Sequence, residues 1–289
     1  MKPTITLTVA VFALLVALLG IAALPAHADD SAYLPPNDLV KGHDGITYAE
    51  LLKQVIPDLA EGSDGWTGHI PDGIGLIGGD DDSGELPDPA TISSVTAETI
   101  VIGGKPTLWV MADAGGGGML GDYTLLAAFD DGATPKLIDA KEVDYDRFTY
   151  FLDDPIKISK TDEAIIVGTS HSNSEQSYEE RMLVTLSQGK LVRAADFLLF
   201  EVHSCHMYQD EQLTLTPKVA SKGYWPIDAS VRRVLAQNAD GGDCLDPDNP
   251  AGVKTTSFKA RFSWDEASDG YVTTSRELER LRDDDRNLF

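Results

Sequence analysis

Hydrophobic residues fall along this chain in three textures. An uncharged run covers residues 4–24, with 9–19 as its apolar core. Residues 29–90 are repeatedly broken by Gly, Asp and Pro. From residue 91 onward, short apolar stretches recur between clusters of Gly, Asp, Pro and Asn. This third texture predicts strands over 92–102, 107–113, 122–130, 136–140, 155–159, 164–170, 181–187, 190–202, 211–216 and 257–264. In the last of these, Phe258, Ala260, Phe262 and Trp264 alternate with Lys259, Arg261 and Ser263, the pattern of a strand buried on one face. Leu108-Trp109-Val110-Met111 and Leu125-Leu126-Ala127-Ala128-Phe129 are apolar on both faces, which predicts central strands. Ser187-Gln188-Gly189-Lys190, between two apolar runs, reads as a hairpin turn.

Three peripheral helices are expected. The first starts at Ile46-Thr47, where Thr47 and Glu50 can form a capping box and Ile46 and Leu51 a hydrophobic staple. Its apolar stripe is Leu51, Leu52, Val55 and Ile56, and Pro57 ends it. The second covers about 228–238, with Val231, Val234 and Leu235 on one side. The third covers about 275–284, with Thr274 and Glu277 as a further capping box. Residues 61–90 read as a long irregular segment tethered by Trp66, Ile70, Ile74, Leu76 and Ile77. The fold class is therefore mainly β, with antiparallel sheets arranged as a sandwich or an irregular meander; an α+β arrangement is the alternative. The absence of an internal repeat counts against a propeller. The chain divides into 1–28, an acidic helix-plus-loop segment at 29–90, and a β-rich domain at 91–289 packed with it as one unit.

Lys2, the apolar run and the small-x-small tripeptide Ala26-His27-Ala28 form a secretory signal peptide, cleaved after Ala28. Pro25 and the tripeptide favour cleavage over retention as a membrane anchor. No Cys stands near the cleavage point and no twin arginine precedes the run, so the general secretory route is expected. The protein is then periplasmic or secreted, with no membrane insertion after cleavage.

Charge sharpens this picture. The net charge is −24, and 14 Asp or Glu against Lys41 and Lys53 give residues 29–90 a net of −12. Such a chain repels nucleic acid and favours cationic partners, metal ions included. Cys205 and Cys244 are the two cysteines, and an even count in an exported chain predicts a disulfide. A metal pair completed by His203 and His206 is the alternative.

Candidate chemistry is sparse. Gly115-Gly116-Gly117-Gly118 lacks the Lys-Ser or Lys-Thr and the helix that a phosphate loop needs. Ser187 and Lys190 have the Ser-x-x-Lys spacing of penicillin-recognising enzymes but fall in a turn, not at a helix start. His171, at a strand end before Asn173 and Glu175, is a candidate general base, and Asp144 and Asp146 are paired carboxylates. A polar turn and an ion pair with Arg147 are the plainer readings. No cofactor is required by the sequence; calcium is the one its acidic loops would suit, since it takes clustered hard oxygens, and solvated surface loops are the plainer reading. Its candidate ligands are Asp243, Asp246, Asp248 and Asn249, then Asp80 and Asp82. The leading expectation is an exported, acidic, non-enzymatic protein that binds a ligand or a protein partner. A hydrolase acting on a cell-envelope or extracellular polymer is the second, its pocket near Gly115–Gly118, Asp144, Asp146 and His171, and a structural envelope protein the third.

Overall fold

Strands apolar on both faces must lie between two layers, and that requirement sets the architecture. The computed structural model describes residues 33–63, 65–79, 86–116, 121–146, 148–238, 244–245 and 250–286, with the backbone alone at 144–146 and 153. In chain order the elements are α1 (Tyr48–Leu52), β1 (Ala60–Gly62), β2 (Gly65–Gly68), β3 (Ala90–Ile92), β4 (Val95–Ile102), β5 (Lys105–Gly115), β6 (Asp122–Asp130) and β7 (Leu137–Asp146). They continue with β8 (Phe148–Lys157), β9 (Glu163–Ser172), β10 (Gln176–Ser187), β11 (Lys190–His203), β12 (Met207–Pro217), β13 (Ile227–Gln237), β14 (Lys254–Asp265), β15 (Gly270–Val272) and α2 (Glu277–Arg286). The protein is thus mainly β and antiparallel. Strands adjacent in each sheet are adjacent in sequence: β1 to β3, β4 to β7, and β8 to β15. This is a meander that turns over into stacked layers.

Residue alternation assigns each face of a central strand to a different core. On β5, Leu108, Val110 and Ala112 pack with α1 and β3, whereas Trp109 and Met111 face β9 and β10. On β6, Leu125, Ala127 and Phe129 take the first side, and Leu126 and Ala128 the second. The far face of β9 and β10, with Ile166 and Leu183, packs in turn against Phe197, Ile227, Ala229 and Tyr271. Trp109 and Phe129 are fully buried; truncating a side chain of that size to Ala costs about 3–5 kcal/mol.

The capping box of Thr47 and Glu50 is formed, and Leu51, Leu52, Val55 and Ile56 are all buried. At the turn after β10, Gln188 and Gly189 both have positive φ, 51° and 77°, the arrangement that matches the twist of a two-residue hairpin.

Four expectations need correction. Residues 228–238 are not a helix: Ile227–Gln237 is strand β13, so two helices are described and not three. Val231, Val234 and Leu235 fit a helical stripe, but Ile227, Ala229 and Val231 also alternate. Two neighbouring strands supply ladders of eleven and nine pairs, and the strand wins. Part of the segment expected to be irregular forms the sheet β1–β2–β3. Strands β7 and β8 are longer than the sequence pattern shows, running to Asp146 and from Phe148. At α2, Ser275 Oγ accepts the Glu277 N–H, while the Glu277 carboxylate accepts the Lys259 N–H of β14 at 2.8 Å. The carboxylate that would close a capping box with Thr274 instead ties the helix to the sheet.

Candidate functional site

Strands β11 and β12 form a hairpin that stays zipped for only two residue pairs, Val202↔Gln209 and His203↔Tyr208. Beyond these, each strand follows its other neighbour: β11 keeps twelve pairs with β10, and β12 keeps eleven with β13. The sheet forks there. A backbone N–H stranded in a fork needs a new acceptor, and Glu211 supplies it: its Oε2 accepts from Phe200 N at 3.2 Å.

A cleft of about 350 Å³ lies at this fork, with walls from β8 to β12. Tyr150 donates to Glu179 at 2.7 Å, and Arg181 pairs with the other oxygen of the same carboxylate at 2.7 Å. Gly168 makes that arrangement fit, since a Cβ there would stand 2.6 Å from Leu152 Cδ1 and 3.3 Å from Glu179 Oε1. His171 stacks on Tyr178, its cross-strand partner, with ring centroids 5.9 Å apart. Phe200, Glu201, Asp210 and Glu211 complete the part of the wall nearest the fork. Glu201 accepts from Ser177 Oγ, and Asp210 from Gln212 Nε2. Burial and the Glu179 carboxylate push the Tyr150 hydroxyl up to about 12, so it remains a donor at any ordinary pH.

Beneath the cleft is a buried polar cluster. Gln209 and Asp285 are fully buried and Glu211 is 6 % exposed. Gln209 Nε2 donates to Glu211 Oε1 at 3.1 Å and to Asp285 Oδ1 at 2.9 Å. Arg233 reaches Asp285 and the neighbouring Asp284 from β13, at 3.3 and 3.2 Å. Burial, then the nearby Asp285 charge, push the Glu211 carboxyl up to about 8, against the opposing pull of Phe200 N–H, Arg233 and Gln209. Asp285 is raised as well, chiefly by burial. At neutral pH Glu211 therefore holds its proton.

The sequence-derived candidates fare unevenly. Cys205 and Cys244 form a disulfide, with Cα atoms 4.3 Å apart, at the tip of the β11–β12 hairpin. Neither sulfur is then available as a metal ligand. The bond fits a compartment outside the cytoplasm. His203 stacks on Tyr208 and pairs with Glu201 at 3.3 Å. His171 does line the cleft, together with Glu179, Glu201 and Glu211. Asp144 and Asp146 lie on β7, where Asp146 is in register with Asp122, and only their backbone is described. Gly115 and Gly116 stand near Thr91, Pro87 and Tyr123 and are not among the described residues lining the cleft. Residues 1–28, Asp80, Asp82, Asp243, Asp246, Asp248 and Asn249 lie outside the described residues. Among the described residues no group of three or more His, Cys, Asp or Glu is placed to hold a metal ion, and no helix is long and apolar enough to cross a membrane.

Sequence reasoning missed Gln209, Glu211, Arg233 and Asp285. A signal was present for three of them. Gln209 and Glu211 precede Leu213 and Leu215 at alternate positions, which places them on the apolar face of β12. Asp285 follows Leu278 and Leu281 on one stripe of α2. No family model matches this chain, and neither does any curated protein or solved structure compared with it.

Proposed function

We propose that this chain is an exported, non-enzymatic binding protein that seats a small ligand, or a side chain of a protein partner, in the fork between β11 and β12. The observation that carries the reading is the cleft itself: a cavity of ligand size at the place where the sheet opens, walled by Tyr150, Tyr178, His171 and Phe200 and by carboxylates already fixed by hydrogen bonds. Fixed acceptors suit recognition, because a ligand meets them pre-ordered. The disulfide supports export, and cleavage of residues 1–28 after Ala28 is part of the same proposal. Native mass spectrometry of protein recovered from its own exported compartment should reveal a co-purifying ligand or partner. That species should be lost from Tyr178→Ala combined with Asp210→Ala. A species retained by the double variant, or hydrogen-exchange protection confined to regions outside β9–β12, overturns the reading.

One observation favours a second reading. A buried carboxyl raised to about 8, in one cleft with other carboxylates and a histidine, is the equipment of a general acid. On that reading the protein is a hydrolase of a cell-envelope or extracellular polymer, and Glu211 protonates the leaving group. Release of reducing ends or peptides from envelope polymer, abolished by Glu211→Gln, would establish it; no release from any such polymer removes it.

A further inference from the structure

The polar cluster under the fork is one positive charge short. Two buried carboxyls, Glu211 and Asp285, share a site with one cation among the described residues, Arg233. The guanidinium of Arg233 is directed at α2, where it reaches both Asp285 and Asp284. Among the described residues Glu211 is left with neutral donors, Phe200 N–H from β11 and Gln209 Nε2 from its own strand. The cluster is also short of donors: Gln209 Oε1 and Asp285 Oδ2, both in fully buried side chains, have no hydrogen-bond partner among the described residues. A buried carboxylate without a counter-charge is costly and takes a proton instead. Unlike Asp285, Glu211 also lines the cleft, so a second solution exists: a cation brought by a ligand.

The cleft is suited to deliver one. Arg181 neutralises Glu179, whereas Glu201 and Asp210 have no Lys or Arg ion-pair partner among the described residues. Tyr178 and Phe200 are also among the residues that line the cleft. Carboxylates without a cationic partner recognise ammonium and guanidinium groups through charge-assisted hydrogen bonds.

We infer that the ligand of the fork cleft is an organic cation, an amine or a guanidine, whose charged group docks on Glu211 and supplies the counter-charge that this buried carboxyl lacks. The inference rests on the reading of the cleft as a ligand site and adds its chemistry and its proton linkage. The balance is simple. The ligand's N–H groups bond to the Glu211 carboxylate, the carboxyl O–H bond breaks, and its proton leaves to the solvent buffer. The surrounding groups keep their states: Asp285 and Asp284 stay on Arg233, and Phe200 N–H stays on Glu211.

The test uses the full disulfide-bonded protein and isothermal titration calorimetry with agmatine, spermidine, N-acetylglucosamine and succinate. Agmatine or spermidine should bind, with an enthalpy that changes with the ionisation heat of the buffer and reports about one proton released per site at pH 7. Affinity should rise by up to about tenfold per pH unit between pH 6 and 8, and level off above that as Glu211 ionises unaided. Glu211→Gln should abolish the proton release and weaken binding by about tenfold or more. Should Glu211→Gln fail to fold, Asp285→Asn gives an independent reading. It removes the Asp285 charge beside Glu211 and one of the two carboxylates that hold Arg233, so the release at pH 7 should fall. Amine binding with no buffer dependence overturns the inference and leaves the cleft reading intact, as does preferential binding of N-acetylglucosamine or succinate that is sensitive to Tyr178→Ala. Titrations in which no probe responds to Tyr178→Ala count against both.

Discussion

Trp109 shows what a single buried side chain requires. Its indole is fully buried, and a dry N–H needs an acceptor. Thr107 supplies one: its Oγ1 accepts from Trp109 Nε1 at 3.0 Å and donates to Ile100 O at 2.6 Å. Thr107→Val keeps the shape and removes the relay, so it should destabilise the fold by about 1–3 kcal/mol in a denaturant titration. A loss near zero would mean that the indole finds another acceptor. Glu211 is the opposite case, a buried group whose cost depends on pH. Its folded-state pKa, about 8, lies above the ordinary carboxylate value, so between these limits the folded chain holds a proton that the unfolded chain has lost. Stability is then greatest below about pH 4.5 as far as this residue is concerned, and falls as pH rises to about 8, by at most about 1.4 kcal/mol per unit. Melting temperatures of Glu211→Gln should show a shallower decline between pH 5 and pH 8 than those of the parent; parallel curves would remove the burial argument. The alternation of Gln209, Glu211, Leu213 and Leu215 makes that burial legible in the sequence. Its meaning is not legible, because Asp285 lies far along the chain and only the fold brings it near.

At the scale of elements, sequence patterns succeed where one neighbour decides and fail where several compete. The both-sided apolar runs of β5 and β6 and the turn at Gln188-Gly189 follow from local composition, and the structure has them in those places. β13 fails this test because its apolar residues satisfy both periods, and only the ladders of β12 and β14 choose between them. The fork has no local signature at all: it exists because β11 and β12 each pair better with the strand on the other side. Two elements hold it. The disulfide ties the hairpin tip to the segment beyond β13, and Leu245 N reinforces this with a bond to Cys205 O at 2.8 Å. Cys205→Ser should cost about 2–5 kcal/mol, because the bond closes a long loop. Two titratable thiols in denaturant without reductant would instead show that the bond is not made. The second element, α2, rests on Leu278, Leu281 and Asp285. Leu281→Ala should cost about 2–5 kcal/mol and speed hydrogen exchange first in α2 and at the fork. Uniform acceleration across every strand would mean that the helix does not unfold as a separate unit.

At the scale of the whole molecule, burial and charge oppose each other. The layers from α1 through β4–β7 to β8–β15 bury most large apolar side chains, which favours collapse. The chain carries 47 Asp and Glu against 23 Lys and Arg, and collapse crowds that excess. Ion pairs relieve little of it. Arg261 with Asp228 and Arg276 with Glu279 are exposed, and exposed pairs contribute about 0–1 kcal/mol each. Added salt weakens both the pairs and the repulsion, and the sign of its effect shows which is larger. With a net charge of −24 the repulsion should dominate. Raising NaCl from about 20 to about 300 mM shortens the screening length from about 20 Å to about 6 Å. The melting temperature should therefore rise by about 2–4 °C, the equivalent of about 1 kcal/mol in a domain of this size. Potassium chloride should act as sodium chloride does, since screening depends on ionic strength and not on the identity of a monovalent cation. A melting temperature that falls with salt would mean that the ion pairs outweigh the excess of acid, and a large difference between the two salts would point to specific cation binding in place of screening.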